Sequence, residues 1–393
     1  MKILHTADWH AGRSLHGVDR TPEVEAALQE IAELAVRERV DLILVAGDLF
    51  DSKNPSAAAE AAVFGFFLLT GRAGIPSVII AGNHDSPARL DAVGGILKLA
   101  HVRAVGRPLV AGQGGTFELW IAGERVRVAA LPFISERRIV KVQELLTGDA
   151  GQHREGYRQG MRKLIGNLTQ DFTPDAINLL LLHTTMEGAT LANSEYVFHS
   201  TESYTLSPDL LPEAASYVAL GHMHKSQPVA GFAASRARYS GSILQLDFGE
   251  QGDDKGVLLL NVAPGQPTEL LEEVSIRSGR RLRRIRLGLE ELERRTPELA
   301  AFDGWLKLAI DLDTLRPGLK ERIRSALPNV LTVELNLPEA EGRDERGVDL
   351  EHVTLSEAYG QYYLSEKGQD LPKQLGETFR ELYERVADAE LSP

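Results

Sequence analysis

Short runs of aliphatic and β-branched residues recur along the first two thirds of the chain, and a polar cluster follows each of five such runs. Runs of about four to eight such residues, bounded by turn residues, are typical of strands buried in a sheet. The five clusters are, in chain order, Asp8-Trp9-His10, Gly47-Asp48-Leu49-Phe50-Asp51, Gly82-Asn83-His84-Asp85, His183 and Gly221-His222-Met223-His224. The sequence therefore predicts five buried strands whose carboxyl ends carry polar side chains.

Two segments with helical periodicity lie between the first three of these strands. Residues 21–40 place apolar side chains at the spacing of one helix face, and residues 56–70 predict a second helix, with Pro55 near its start and Gly71 after its end. Strands are predicted directly after the two helices, at residues 42–46 and 77–81. Strands that alternate with helices form β-α-β units, so the sequence indicates an α/β fold.

A different pattern occupies residues 116–131, where apolar and polar positions alternate about an Ala-Gly turn. This alternation predicts a β-hairpin, so the sheet is expected to be mixed. Residues 237–248 and 255–262 repeat the strand pattern after the last polar cluster. Together these segments predict a second sheet packed on the first.

Changes of pattern divide the chain into four predicted regions. The strand and helix alternation extends over residues 1–275, and a basic segment at residues 276–286 opens a smaller β-α-β cap over residues 276–338. Residues 339–347 are polar and free of large aliphatic side chains, and they predict a flexible linker over residues 339–352. Residues 353–393 return to a helical period and predict a helical tail.

Composition is that of an ordinary folded protein, with 43% hydrophobic and 25% charged residues. The chain has no cysteine, which excludes disulfides and thiolate metal ligands and is compatible with a reducing cytoplasm. We expect no signal peptide, because residue 1 leads directly into a strand. The net charge of −13 argues against a protein that coats DNA by bulk electrostatics, although a partner could supply a basic surface.

The polar clusters contain metal-binding side chains. Because the carboxyl ends of strands converge on one crevice of an open α/β sheet, residues far apart in sequence can meet there. The candidate ligands are Asp8, His10, Asp48, Asn83, His183, His222 and His224. Seven donors exceed the needs of one ion and fit two divalent cations that share a carboxylate, for which Asp48 is the candidate. Two cations roughly 3.5–4 Å apart form the clamp used in phosphoester displacement, so the pattern predicts phosphoester hydrolysis.

Each cluster alone has an ordinary structural alternative. An isolated Asp-x-His is more often a cap or a surface pair, an isolated Gly-His-x-His is ambiguous, and Asp51 could cap a turn or a helix. The interpretation as ligands depends on all five clusters following predicted strands.

Taken together, the motifs D-x-H, GD-x-x-D, GNHD, H and GH-x-H resemble those of the calcineurin-like metallophosphoesterases. The resemblance implies a four-layer α/β/β/α sandwich, here with a small α+β cap and a helical tail. It implies two divalent metal ions, with manganese favoured, and it makes His84 the residue that stabilises the transition state or protonates the leaving oxygen. Asp51 matches the acid that holds this imidazole.

The residues around the motifs restrict the resemblance to one group of enzymes within this superfamily. Residues 1–17 and 45–56 and the layout of the tail resemble the nuclease subunits of SbcC/SbcD-type DNA repair complexes. This implies a double-stranded DNA exonuclease and single-stranded DNA endonuclease, bound through its C-terminal helices to an SbcC-like coiled-coil ATPase, in the cytoplasm and near the nucleoid. Alternatives left open are a phosphatase or nucleotide phosphodiesterase of the same superfamily and a non-catalytic scaffold.

Two surface features remain ambiguous at this level. The arginines of residues 277–286 could follow a phosphate backbone, or they could form a salt-paired structural face. Helix residues 63–69 contain Phe64, Phe66 and Phe67, more aromatic side chains than one buried face requires. We expect a homodimer contact there.

Overall fold

The computed structural model describes residues 1–135, 139, 150–190, 205–314 and 316–337, together with isolated positions between 359 and 379. The chain divides into two compact units, Met1–Leu337 and Pro338–Pro393. In the second unit the rings of Tyr359 and Phe379 stack with centroids 4.3 Å apart. The predicted linker at residues 339–352 and most of the predicted helical tail lie outside the described residues.

Strands and helices alternate through the first unit. The strands are β1 (Lys2–Thr6), β2 (Ser14–Leu15), β3 (Val18–Asp19), β4 (Leu42–Val45), β5 (Ser77–Ile80), β6 (Val102–Val105), β7 (Thr116–Ile121), β8 (Glu124–Leu131), β9 (Ile177–His183), β10 (Tyr217–Gly221), β11 (Gln227–Pro228), β12 (Ala237–Tyr239), β13 (Gly256–Asn261), β14 (Glu269–Ser275), β15 (Arg281–Gly288), β16 (Gly304–Asp311) and β17 (Val330–Asn336). The helices are α1 (Thr21–Arg37), α2 (Ala57–Arg72), α3 (Pro87–Leu97), α4 (Ala150–Thr169), α5 (Leu289–Ala300) and α6 (Leu319–Ala326).

Two six-stranded mixed sheets form the centre of this unit. The first has the order β14-β13-β1-β4-β5-β6 and the second the order β11-β12-β10-β9-β8-β7. In the first sheet β1, β4, β5 and β6 are parallel, β13 pairs antiparallel with β1, and β14 pairs antiparallel with β13 at the edge. In the second, β8, β9, β10 and β12 are parallel, and β7 and β11 are antiparallel edge strands.

Alternating side chains pack these sheets into four layers. Between the sheets lies a core in which Leu44 and Ile80 of the first sheet belong to the same cluster as Val128 and Leu181 of the second. The opposite face of the first sheet packs against α1, α2 and α3, and that of the second packs against α4. Because successive side chains of a strand point to opposite faces, both faces of each sheet are apolar. This α/β/β/α sandwich confirms the predicted fold class.

Local signals explain several element boundaries. Ser56 caps α2, where its side chain accepts a hydrogen bond from the Ala59 amide at 3.2 Å. The predicted hairpin turns at Ala122 and Gly123, which both have positive φ (51° and 81°), as a two-residue type I′ turn requires. The first helix ends at Arg37, slightly before the predicted residue 40.

The predicted strand at residues 237–248 is wrong beyond Tyr239. Gly241 has a φ of +77°, and the Ser242 amide donates to the main-chain oxygen of His224 at 3.1 Å. The chain therefore turns back against the Gly-His-x-His loop. The apolar residues that follow, such as Ile243, are buried in the core below α1 instead of pairing in a sheet.

The cap is larger than the predicted β-α-β unit. Strands β15, β16 and β17 form one parallel sheet, and α5 and α6 contribute to a separate core that includes Leu292, Leu308 and Ile323. The basic segment thus supplies a strand, in which Leu282 and Leu287 are buried. Helix α5 contains Pro297, a residue that weakens the helical signal of this segment.

The arginines of the basic segment have structural partners. Their contacts are Asp254 at 3.6 Å for Arg281, Glu334 at 3.7 Å for Arg284, Asp311 at 2.9 Å for Arg286, and the rings of Trp305 and Phe302 below Arg280 and Arg283. The structure therefore favours the salt-paired alternative for this face. Across the residues described, no helix combines the length and apolar content needed to span a bilayer.

Candidate metal centre

The carboxyl ends of five central strands meet at one edge of the sandwich. Asp8 and His10 follow β1, Asp48 follows β4, Asn83 follows β5, His183 ends β9, and His222 and His224 follow β10. Main-chain hydrogen bonds join the first two loops, since the amides of Asp8 and Trp9 donate to the carbonyls of Gly47 and Asp48 at 3.0 and 2.8 Å. All seven predicted ligands therefore lie at the same edge.

The donors form overlapping sets, two of them fully buried, and a third, partly buried set joins His10, Asp48 and His84. Asp8, His10 and His224 make up the first, and Asp48, His183 and His222 make up the second; within each set, one donor atom per residue lies within 4.8 Å of the others. In the first set the Nε2 atoms of His10 and His224 are 3.2 Å apart. Two ring nitrogens at this distance are close enough to bind the same metal ion.

Asn83 belongs to the second set. Its Oδ1 atom lies 2.9 Å from Nε2 of His183 and 3.0 Å from Nδ1 of His222. A neutral amide oxygen thus accompanies the carboxylate and the two imidazoles, which is a mixed oxygen and nitrogen donor set.

Asp48 lies between the two sets. Its Oδ2 atom is 3.7 Å from Nε2 of His10 and 3.3 Å from Nε2 of His183. Its Oδ1 atom accepts a hydrogen bond from the His84 amide at 2.8 Å. Among the donors of this edge, Asp48 therefore has the position that a carboxylate shared by two cations would need.

Charge in the site favours cations. Burial raises the pKa of Asp8 to about 7 and lowers that of His10 to about 4, so the ring of His10 is neutral and able to act as a ligand. Burial opposes charge on His183 as well, yet the neighbouring Asp48 carboxylate raises its pKa to about 9. Asp48 thus stabilises positive charge at this buried edge, and the carboxylate, amide and imidazole donors gathered there fit divalent cations.

Main-chain strain accompanies the ligands. Asp8, His10 and Asp48 have φ values of 53°, 46° and 51°, in the left-handed region that non-glycine residues rarely adopt. Such conformations cost of order 1–3 kcal/mol each and are found mostly at functional sites. The surrounding fold must therefore hold these loops in place.

Two glycines make room for the ligands. At Gly47, which has a φ of +97°, a Cβ would lie 2.4 Å from Nδ1 of His183, and at Gly82 it would lie 2.1 Å from Oδ1 of Asp48. Both distances are far below van der Waals contact. The glycines before Asp48 and Asn83 are thus required by close approach to ligand side chains.

Trp9 anchors the first ligand loop. It is fully buried, its ring contacts that of Phe66 with centroids 5.0 Å apart, and its indole N–H donates to Oγ1 of Thr6 at 2.9 Å. Phe66 and Phe67 are buried in this contact. Phe66 and Phe67 therefore offer no exposed surface to the dimer contact expected at residues 63–69, because they pack under the loop between Asp8 and His10.

Asp51 contacts His84 through its main chain. Nδ1 of His84 lies 2.9 Å from the carbonyl oxygen of Asp51, whereas the Asp51 carboxylate lies 3.2 Å from Nδ1 of His10 and 3.0 Å from the guanidinium of Arg13. The predicted carboxylate contact with His84 is thus replaced by a carbonyl contact. The physical reason is the turn after Asp48, which directs the side chain of Asp51 toward the ring of His10.

Asp85, whose role the sequence leaves undefined, joins two ligand loops. Its buried carboxylate accepts hydrogen bonds from the amides of Gly82, Leu49 and Phe50 at 2.8, 3.2 and 3.0 Å. These amides belong to the loops that carry Asn83 and Asp48. Asp85 therefore fixes the separation of the two loops.

Sequence reasoning missed one buried charged pair. Glu250 is fully buried, its Oε1 atom lies 3.3 Å from Nδ1 of His224, and its Oε2 atom lies 2.6 Å from the ammonium of Lys255. Glu250 belongs to no motif or periodic segment, and Lys255 stands only at the start of the predicted strand segment 255–262, so no sequence signal paired them. His183 is held comparably, since its Nδ1 lies 2.7 Å from the carbonyl oxygen of Ala46.

Two family models match the chain. Residues 1–226 match the calcineurin-like phosphoesterase family, and residues 278–363 match the type 5 capsule protein repressor C-terminal domain. The first match contains all the residues of the two donor sets. Members of the first family are hydrolases that use two divalent metal ions.

Similar proteins cover most of the chain. The SbcD polypeptide of the SbcCD nuclease from Bacillus subtilis (strain 168) is 32% identical over 393 residues, a match that covers 99% of each chain. Its counterpart in Rhodobacter capsulatus is 35% identical over 281 residues, 67% of each chain, and that in Escherichia coli (strain K12) is 30% identical over 292 residues, 70% of this chain and 68% of the relative. This chain therefore belongs to the calcineurin-like phosphoesterases and, within them, to the family of SbcD nuclease subunits.

Proposed function

We propose that this chain is a manganese-dependent DNA nuclease in which two cations share Asp48. The observation that carries the proposal is the pair of buried donor sets with the Asp48 carboxylate between them. Mixed imidazole and carboxylate donors suit manganese, iron or zinc better than magnesium, which prefers oxygen ligands. Among these metals we choose manganese, because the motifs resemble those of manganese-dependent enzymes.

The two sets suggest how the ligands divide. One cation would be held by Asp8, His10, Asp48 and His224, and the other by Asp48, Asn83, His183 and His222. When bound, the pair of cations would polarise the phosphodiester and activate a water molecule. The buried loops hold the donors ready for this purpose and exclude bulk water from them.

His84 would be the catalytic residue that is not a ligand. Its ring lies edge to face with that of His10, with centroids 4.8 Å apart, and its Nδ1 is fixed by the Asp51 carbonyl. An imidazole fixed in this way can stabilise charge on the phosphate or protonate the departing sugar oxygen. Asp51 would support both rings, His84 through its carbonyl and His10 through its carboxylate.

The proposed substrates are double-stranded DNA for exonuclease cleavage and single-stranded DNA for endonuclease cleavage. Support comes from the relatives, whose shared name is that of a nuclease subunit. We further propose that an SbcC-like coiled-coil ATPase binds residues 353–393. Because the chain has a net charge of −13, such a partner would supply basic surface for the DNA.

The predicted regions acquire functional roles under this proposal. Residues 1–275 would form the nuclease domain, residues 276–338 the cap that borders the DNA, and residues 339–352 the linker to the tail. Contacts of Leu282 with Leu15 and Phe248 support the role of the cap, since they place it beside the loop that follows His10. The proposed location is the cytoplasm, next to the nucleoid.

We also propose that the protein is a homodimer, with a contact shifted from Phe66 and Phe67 to the exposed side of α2 and α3. Leu68, Ile96 and Leu99 are 52%, 70% and 85% exposed there and border an apolar cavity of about 390 Å³. Adjacent exposed apolar side chains of this size are typical of a protein interface. A second copy of the chain is the occupant that we infer.

Digestion of end-labelled duplex DNA, with manganese present and absent, tests the function. We expect cleavage with manganese, none with chelator, and none by a His84→Gln variant that still binds metal. Bis-p-nitrophenyl phosphate and mononucleotides, assayed in parallel, distinguish the alternatives. Turnover of mononucleotides without cleavage of DNA would instead support a phosphatase, and no turnover of any substrate despite bound metal would support a scaffold.

A further inference from the structure

The buried pair Glu250 and Lys255 lies directly behind a metal-ligand candidate. We propose that Glu250 is the positioning residue that orients His224 toward its cation and that Lys255 holds the Glu250 side chain in place through a buried ion pair. The inference rests on the proposed function of the site, since it gives His224 its role. Glu250 touches neither substrate nor cation and would act only through the imidazole.

The hydrogen bond to Glu250 selects one form of the ring. Because the carboxylate lies 3.3 Å from Nδ1 of His224, the proton of the neutral imidazole is held on that nitrogen. Nε2 is then the lone-pair nitrogen, and it faces another member of its donor set, 3.2 Å from Nε2 of His10. Histidine ligands commonly donate their second ring nitrogen to a carboxylate, which fixes both tautomer and orientation.

Lys255 secures the carboxylate on its other side. Its ammonium lies 2.6 Å from Oε2 of Glu250 and donates to the main-chain oxygen of His224 at 2.7 Å. Both charged side chains are nearly inaccessible to solvent, at 0% and 4% exposure. Buried ion pairs contribute little net stability. Because this pair contacts both the ring and the main-chain oxygen of His224, it suggests a role in the site.

Hydrogen bonds connect the turn that carries Glu250 to the cap. Gln245 donates to the Glu250 carbonyl at 3.0 Å and accepts from the Leu282 amide at 2.7 Å, and Gln251 accepts from the Arg284 amide at 2.7 Å. Leu282 and Arg284 belong to β15. The position of Glu250, and through it the ring of His224, is therefore tied to the first strand of the cap.

Manganese titration by calorimetry tests the proposal on the full-length protein. We expect wild-type protein to bind two manganese ions and Glu250→Ala to bind one of them about 10–100-fold more weakly, the usual effect of removing such a partner. Glu250→Gln should recover much of the loss, because its amide oxygen still accepts the imidazole N–H. Excess manganese should restore the kcat of Glu250→Ala on duplex DNA, so that the change lies in the metal concentration required for activity.

Removing Glu250 alone leaves Lys255 as a buried unpaired cation, which can prevent folding. The double variant Glu250→Leu, Lys255→Met removes both charges together, and we expect it to fold and to show the same 10–100-fold loss at one site. Glu118→Gln is the control, since Glu118 also pairs with a cation, Arg125, but lies on edge strand β7, and its manganese affinities should equal those of wild type.

The outcomes separate this inference from the proposed function. Two ions bound with unchanged affinities by folded Glu250→Ala or by the double variant would overturn the role of Glu250 and leave the metal centre intact. Equal losses at both sites would also overturn it, because they would indicate a general structural effect. A wild-type protein that took up no manganese would overturn the proposed function and this inference together.

Discussion

Nε2 of His183, a member of the second donor set, lies 3.3 Å from Oδ2 of Asp48. The same carboxylate oxygen is 3.7 Å from Nε2 of His10, so one side chain reaches both sets. We therefore expect loss of this carboxylate to affect metal binding at both sets, in contrast to loss of a single imidazole.

Asp48→Asn should abolish binding of both cations, since it removes the shared negative oxygen from each set. His84→Gln should keep two ions and lose activity by about 10²–10⁴-fold, the usual contribution of a general acid or base. Metal analysis after gel filtration, together with cleavage of duplex DNA, measures both quantities. Loss of manganese from His84→Gln would contradict the separation of roles.

Gly47→Ala should prevent binding at the second donor set. Its Cβ would lie 2.4 Å from Nδ1 of His183, so this ring must move from its contact with the Ala46 carbonyl. Gly74→Ala is a matched control, because Gly74 also has a positive φ, +77°, but open space around it. The control should lose about 1–2 kcal/mol of stability and no metal affinity. Equal metal binding by both variants would show that the clash is relieved without cost to His183.

Trp9→Ala should reduce the free energy of unfolding by about 3–5 kcal/mol, the range for truncating a buried aromatic side chain. The cavity lies under the loop between Asp8 and His10, so manganese affinity should fall as well. Trp120→Ala is the control, since Trp120 is 71% exposed and should change stability by less than about 0.5 kcal/mol. Urea denaturation in the presence of chelator compares the two. A small effect at Trp9 would mean that the loop does not depend on this anchor.

Acid should weaken the attachment of the cap to α1. Burial acts to raise the pKa of Glu23, but hydrogen bonds and charge from Arg20, with further hydrogen bonds from the Arg280 amide and the Trp305 indole, hold it below its usual value. A carboxylate with a lowered pKa stabilises the fold above its unfolded-state pKa of roughly 4.3, and this contribution disappears as the pH falls through the folded-state value.

The difference in unfolding free energy between wild type and Glu23→Gln should therefore be constant from about pH 6 to 8 and shrink below about pH 4.3. Chelator in all samples removes any contribution from metal. A difference that grew toward acidic pH would have the wrong sign for this assignment.

Ile96→Glu and Leu99→Glu should convert the proposed dimer into monomers, because each places a charge in the apolar contact. Light scattering at micromolar concentration measures the mass. Leu271→Glu is the control, as Leu271 is an exposed apolar residue, at 43%, on edge strand β14. Wild-type protein that is already monomeric would remove the dimer from the proposal.

Much of the fold could be predicted from the sequence because it depends on local patterns. The helices at Thr21–Arg37 and Ala57–Arg72 and the hairpin about Ala122 each carry a periodicity and a turn signal. The gathering of seven polar residues at one edge followed from strand direction alone. The identity of the metal and the catalytic role of His84 remain predictions.

What the sequence could not reveal depends on contacts between distant segments. Phe66 and Phe67 look like surplus surface residues until Trp9 is placed against them. Asp51 matches a family acid, yet only the turn geometry shows that its carbonyl faces His84 and its carboxylate His10. Glu250 lies in a short turn without periodicity, and its significance comes entirely from its distance to His224.

Asp85 has a broader consequence for how the protein acquires its ions. Since one carboxylate ties the amides of Gly82, Leu49 and Phe50 together, the spacing of the two ligand loops is dictated by the polypeptide and not by whatever ion arrives. A bound cation would therefore not have to set the spacing of these loops. We expect ions whose radii demand a different spacing to bind more weakly.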